Sequence, residues 1–189
     1  MEKIKTYLTE KKLWPMVDVA LFVFITYGFH KIWWAFDDVI LNTAMYHVGA
    51  KWLSTTIYGA SAWIDAHLLA MNIVLQPLNT IHFNYNNTAI SVVDSCSGFK
   101  QMWQVLVLFL IIPGPWKSKL WYIPVGLVTI FFVNILRIVG LSVAMLYWPE
   151  NWDFIHLWVF RPLYYVAIFV LWVIWVEKFG GMKKFMMKE

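Results

Sequence analysis

Charge and cysteine are what this sequence has least of. Asp, Glu, Lys and Arg make up 14% of its 189 residues, against about a quarter in soluble domains. Hydrophobic residues reach 61% and aromatics 19%. That balance excludes a soluble globular domain and identifies an integral membrane protein. Cys96 is the only cysteine, which excludes an intrachain disulfide, and no CxxC or paired Cys/His spacing suggests a metal site. Linkers rich in Ser, Gly or Pro, low-complexity runs and internal repeats are missing too, so residues 1–189 read as a single membrane domain. The net charge of +4 implies no nucleic acid partner, because the lysines sit where membrane topology would put them.

Ten of the fifteen Lys and Arg residues fall in three short segments: Lys3, Lys5, Lys11 and Lys12; Lys117 and Lys119; Lys178, Lys183, Lys184 and Lys188. The positive-inside rule assigns all three to the cytoplasm. Between them lie apolar stretches at residues 17–34, 99–112, 120–147 and 157–176. Four crossings satisfy the charge pattern, with both termini inside and residues 37–98 outside. The first stretch is long and lacks a small-x-small cleavage site, so it reads as a membrane helix and not as a cleaved signal peptide. Trp33, Trp34, Trp116, Trp121, Trp148 and Trp152 lie near the expected helix ends, as in an aromatic belt. The expected fold is all-α and polytopic, in the cytoplasmic membrane.

The exterior segment is of another kind. Residues 41–75 mix apolar residues with Lys51, Asp65, His47, His67 and several Ser, Thr and Asn, a poor composition for a span. Met45, Val48, Trp52, Thr55 and Thr56 recur at helical intervals and predict one or two amphipathic helices at the interface, a second pair of crossings being the alternative. Residues 80–93 then alternate around Asn86-Asn87, which predicts a β-hairpin. Its open edges need water or protein, so the hairpin belongs outside the hydrocarbon and delivers the chain to Cys96 at a membrane face.

Cys96 stands in Asp94-Ser95-Cys96-Ser97-Gly98, where polar chain runs into an apolar segment. A thiolate attacks carbonyl carbon well and is favoured at the first turn of a helix. Ser95 or Ser97 suits the cap, and Gly98 lets another segment approach. A lone cysteine is more often inert, so the assignment needs partners. Arg137 lies about 17 residues beyond the Lys119-Leu120 boundary, hence about 25 Å up a core about 30 Å thick. His156 opens the last apolar stretch from the same side, and Asn134 precedes Arg137 by one turn. An intramembrane Arg is costly and usually functional or paired; the plainer readings for Arg137 are lipid phosphate or an ion pair with Asp94, Glu150 or Asp153. Together, a thiol, an imidazole and a guanidinium at one depth supply a nucleophile, an acid/base and an oxyanion stabiliser, the equipment of acyl transfer. His30, His47, His67 and His82 read as interfacial or structural. Two non-enzymatic readings stand beside this one: a membrane scaffold or assembly factor that uses the cluster for packing, and an anionic-lipid-binding transporter subunit acting through Arg137 and Arg161.

Cys96-Ser97-Gly98, Asn134-x-x-Arg137 and His156, in that order on successive apolar stretches, resemble the exosortase/archaeosortase family of membrane-embedded cysteine transpeptidases. Pro113-Gly114-Pro115-x-Lys117, Asn134-Ile135-Leu136-Arg137-Ile138 and the tryptophan-rich last stretch extend the resemblance over residues 77–179, and the chain looks most like the short Bacteroidetes-type forms. The resemblance implies a protease-transpeptidase that cleaves a C-terminal sorting signal of exported proteins through a Cys thioester and transfers them to a lipid or envelope nucleophile. It implies no cofactor; the partners are the tagged proteins and membrane lipid. Cys96 would be the nucleophile, Arg137 the oxyanion stabiliser and His156 the acid and later the base. Asn134, Ser97, Gly98 and Arg161 are the supporting or substrate-binding candidates.

Overall fold

Proline and glycine set the helix boundaries around the centre of this chain. In the computed structural model, which describes residues 13–181, Pro15 opens α1 (Trp14–Ala35), where its missing N–H is one that needs no partner. A short α2 (Asp37–Leu41) and α3 (Ala44–His67) follow, the latter capped by the Thr43 hydroxyl on Tyr46 N–H. Three strands come next, β1 (Ile73–Gln76), β2 (Thr80–Phe83) and β3 (Thr88–Ser91). Gly98 precedes α4 (Phe99–Ile111), which stops at Ile112 because the residue before Pro113 is driven out of the helical region. Pro115 then opens α5 (Trp116–Tyr147), and a wide π-helical stretch, Ile155–Phe160, leads into α6 (Arg161–Lys178). The terminal lysine segments assigned to the cytoplasm, residues 1–12 and 183–188, lie outside the described residues.

Contacts fix the helix directions. Asn134 meets Cys96, Gly126 meets Val105, and Lys119 Nζ donates to Leu110 O at 2.8 Å, so α4 runs antiparallel to α5. Tyr164 bonds Asn134 and Tyr122 donates to Leu171 O at 2.7 Å, so α6 is antiparallel to α5 as well. α1 reaches from Asp18, beside Gly181, past the Phe22–Trp172 ring pair to His30, beside Lys100. Ile25, Val105, Leu108, Phe109, Ile130, Ile168 and Trp175 form the common core. At the far end of this bundle Gly114 fits under Trp175, whose indole N–H donates to Pro113 O; a Cβ on Gly114 would come within 2.4 Å of that ring.

Among the described residues, three segments are long and apolar enough to cross a membrane: Trp14–Ala35, Trp116–Tyr147 and Pro149–Lys178. The fourth expected crossing, residues 99–112, is α4, whose 13 residues reach about 20 Å of a core about 30 Å thick. Gly98 and Pro113 cut it short. α5 errs the other way: its 32 residues extend about 47 Å, and its second half leaves α4 behind to pack on α3 and β3.

α3 is the single amphipathic helix of the 41–75 segment, but its orientation differs from the spacing first noticed. Tyr46, Ala50, Leu53, Ser54, Ile57, Ser61 and Asp65 are buried, whereas Met45, Val48 and Trp52 are exposed. The predicted hairpin is present, with Phe83 paired to Thr88 across the Asn86-Asn87 turn, and it gains an outer strand: β1 pairs with β2, Ile73 opposite Phe83. β1 took the end of a stretch whose periodicity pointed to helix. Leu78 and Asn79, both at positive φ, make the turn that folds it back. Ile81, Phe83, Ile90 and Val92 bury against α3 and α5, and Asn86 Nδ2 ties the hairpin to Met145 O at 2.9 Å.

Asp65 is fully buried on α3, and neither carboxylate oxygen has a hydrogen-bond partner. Burial pushes its pKa up from 3.8 to about 6; the nearby Ser142 hydroxyl on α5 offsets part of the rise without completing a hydrogen bond. An acid held above its unfolded pKa stabilises the fold least when ionised. Unfolding midpoints of the purified protein in detergent should therefore fall as pH rises from 4 through 6 and level off above it. The loss should be about 3 kcal/mol. Asp65→Asn should flatten this profile; an unchanged profile would remove Asp65 as its source.

Candidate functional site

The cysteine is presented by a turn and not by a helix. Asp94–Cys96 form one 3-10 turn, closed by Cys96 N–H to Val93 O at 2.8 Å and Ser97 N–H to Asp94 O at 3.1 Å. α3 holds this turn from below, where the Ser54 hydroxyl donates to Asp94 Oδ1 at 2.9 Å. α4 starts only after Gly98, so the expectation that Cys96 lies in its first turn is corrected: the αL backbone of Gly98, φ 75°, interrupts the helix between them. Ser97 does serve the helix start, its hydroxyl accepting Phe99 N–H at 3.3 Å. Ser95 is exposed and makes no cap.

Behind the cysteine sits Asn134, fully buried on α5. Its Nδ2 donates to Cys96 O at 2.9 Å and its Oδ1 accepts the Tyr164 hydroxyl from α6. Both ends of its amide are thus engaged by the protein, and no hydrogen bond joins it to Arg137. Gly98 is necessary here twice over, for its positive φ and because a Cβ would lie 3.0 Å from Asn134 Nδ2 and 3.3 Å from the Tyr164 oxygen. Nothing in the spacing of the sequence singles out Tyr164; it reads as one more aromatic of an apolar helix.

Arg137, one turn above Asn134, is buried, and its Nη2 donates to His156 Nε2 at 3.1 Å. A guanidinium has only donors, so Nε2 is the acceptor and the ring proton stays on Nδ1. The Arg137 guanidinium lies 5.5 Å from the Tyr164 ring centre. Its Nε is buried and has no hydrogen-bond partner. None of the carboxylates considered for it forms an ion pair with it: Asp94 bonds Ser54, and Glu150 and Asp153 are exposed. His156 is stacked on Trp152, rings 5.5 Å apart and 4° from parallel. It stands second in the π-helical stretch, which ends just before the Arg161-Pro162 pair, where Pro162 has no N–H to continue the ladder.

These groups open onto one cavity of about 400 Å³. Cys96, Ser97, Arg137, His156 and Arg161 line it, together with Tyr164 and Lys100, which no motif of the sequence marks, and with His30, which its spacing marks only as structural. Asn134 and Gly98 stand behind its wall. The other histidines are local: His47 meets Tyr46 edge-on, His67 stacks on Trp63, and His82 bonds Asn87 Oδ1 at 3.1 Å. Of the belt tryptophans, Trp34, Trp116, Trp121 and Trp148 are exposed; Trp33 is buried and Trp152 backs His156.

Asn134→Ala would leave the Cys96 carbonyl and the Tyr164 hydroxyl without these partners, at a cost of about 2 kcal/mol. Tyr164→Phe removes only one of the two bonds and should cost about half as much. Thermal unfolding in detergent measures both; equal midpoints for Asn134→Ala and parent would refute the bridge.

No curated protein and no solved structure matches the chain. A family model described as transmembrane exosortase matches residues 11–175, a stretch that contains every residue lining the cavity. With its apolar helices, the protein is a multi-pass membrane protein, and it belongs to the transmembrane exosortase family.

Proposed function

We propose that this protein is a membrane cysteine transpeptidase that cleaves a C-terminal sorting signal from exported proteins and transfers them to a lipid or envelope nucleophile. The observation that carries the reading is the meeting of Cys96, Arg137 and His156, from three separate segments, around one cavity, with Arg137 bonded to His156 at 3.1 Å. In this reading the cavity faces the exterior, and the lysine-bearing termini and the Lys117 end of α5 face the cytoplasm.

In this mechanism the Cys96 sulfur adds to the scissile carbonyl. The unpartnered Nε of Arg137, with its Nη groups, takes the developing oxyanion. As the guanidinium turns to that charge it releases His156 Nε2, which accepts the thiol proton and passes it to the leaving amine. The C–N bond breaks and a thioester to Cys96 remains. A hydroxyl or amine of the acceptor then adds to the thioester carbonyl, gives its proton to His156, and expels the sulfur, which recovers that proton.

Incubation of the purified protein with a membrane-anchored protein bearing a C-terminal signal from the same cells, followed by mass spectrometry, tests this. Cys96→Ala should abolish cleavage. Arg137→Lys and His156→Gln should each lower it by about 10² or more, and hydroxylamine should release the cleaved protein as its hydroxamate. Cleavage undiminished in Cys96→Ala would remove Cys96 as the nucleophile, and no cleavage by the parent would leave the scaffold reading in its place.

A further inference from the structure

Two cations of the cavity have no part in the mechanism above. Lys100, on the first turn of α4, is half-buried; its ammonium approaches His30 Nδ1 at 3.3 Å and lies 4.6 Å from the Trp34 ring centre. One of its three donors is thereby used. Arg161, at the start of α6, is exposed on the cavity rim. Neither has a carboxylate partner among the described residues. The two acids that line the cavity bond elsewhere, Asp94 to Ser54 and Asp37 to the N–H of Asp38 at 2.9 Å, and form no ion pair with either cation. Charge left unpaired beside hydrocarbon is expensive, and groups kept there have a ligand as a rule.

The surroundings say what kind of ligand. Trp34 and Tyr165 line the same cavity and are exposed on the outside of α1 and α6, and Phe36 and Trp158 lie exposed nearby in the chain. A cationic floor with an aromatic rim suits an amphiphile, its anionic head inside and its apolar part along the helices. An Arg fork and a Lys point charge together match the several oxygens of a phosphate.

We propose that Lys100 and Arg161 form a subsite beside Cys96 for the phosphate of an anionic headgroup, and that the molecule so held is the acceptor that resolves the thioester. The second clause rests on the transpeptidase reading; the binding does not. The acceptor's hydroxyl or amine forms the new C–O or C–N bond, the C–S bond breaks, and the proton passes through His156 to the sulfur.

Because Cys96 is the only cysteine, its alkylation by iodoacetamide, followed by intact mass in a neutral detergent, reports occupancy of the cavity without turnover. Dihexanoyl phosphatidylglycerol should slow the reaction much more than dihexanoyl phosphatidylcholine at the same concentration, because the phosphate of the latter is offset by its own choline cation. Lys100→Gln and Arg161→Gln should each raise the half-protecting concentration about tenfold, the worth of one charge-assisted contact. Lys100→Arg should keep protection and serves as the folding control, as should Lys117→Gln outside the cavity. Protection by inorganic phosphate as well as by the anionic lipid assigns the subsite to phosphate itself; protection by the lipid alone assigns it to a lipid headgroup. Absence of protection, equal protection by phosphatidylcholine, or protection undiminished in both Gln variants overturns the subsite. Protection without any cleavage of tagged proteins would leave the subsite standing and remove the transpeptidase; cleavage without protection would do the reverse.

Discussion

One buried amide holds the architecture of this site together. Where the backbone turns between regular helices beside an apolar interior, a carbonyl without a helical partner needs a donor from elsewhere in the protein. The Cys96 carbonyl is in that position, and Asn134 supplies the donor. The amide oxygen that remains must be satisfied in turn, which recruits Tyr164 from α6. The ring of Tyr164 then lies against the Arg137 guanidinium, and Arg137 bonds His156. From one unsatisfied carbonyl, the relative register of α4, α5 and α6 follows, and with it the approach of the cysteine, arginine and histidine.

Much of this was legible because helix rise is constant. Counting from the Lys119-Leu120 boundary was enough to bring Arg137 to the depth of Cys96 and His156, and all three line one cavity. The count was insensitive to what Lys119 does: it was read as a topology charge, yet it is buried, bonded to Leu110 O, with its ammonium 4.7 Å from the Trp116 ring centre. Partners across helices were not legible. Asn134 reads as a group free for the guanidinium or a substrate until the backbone of another segment is seen beside it. Tyr164 and Lys100 were hidden by composition, one aromatic among many and one lysine at a helix start. The missing strand β1 and the face of α3 share a cause: in a sequence so rich in apolar residues, those that face lipid and those that face the core have the same chemistry, and periodicity loses its contrast.

Aromatic rings take the place of counter-ions around the cavity. Arg137 lies over Tyr164 and Lys100 over Trp34, so each cation is steadied by a ring face that accepts no hydrogen bond in return. A carboxylate would have occupied the same donors. His156 is treated likewise, backed by the Trp152 ring on one side while its Nε2 receives Arg137. The π-helical stretch belongs to the same arrangement. By widening the helix between Ile155 and Phe160, it accommodates both the stacked histidine and the proline that follows Arg161.

α5 joins the membrane bundle to the covering layer of α3 and the sheet without a break. It therefore acts as a ruler. The height of the cavity above the Lys119 end is a fixed number of helical steps, about 1.5 Å each, and no loop intervenes to let it drift. If the protein is the transpeptidase proposed above, then for a substrate held in the same bilayer by a helix of its own, the bond that meets Cys96 is decided first by counting residues from the membrane and only afterwards by comparing side chains. Selection by distance of that sort tolerates wide variation in sequence, provided the anchor keeps its length.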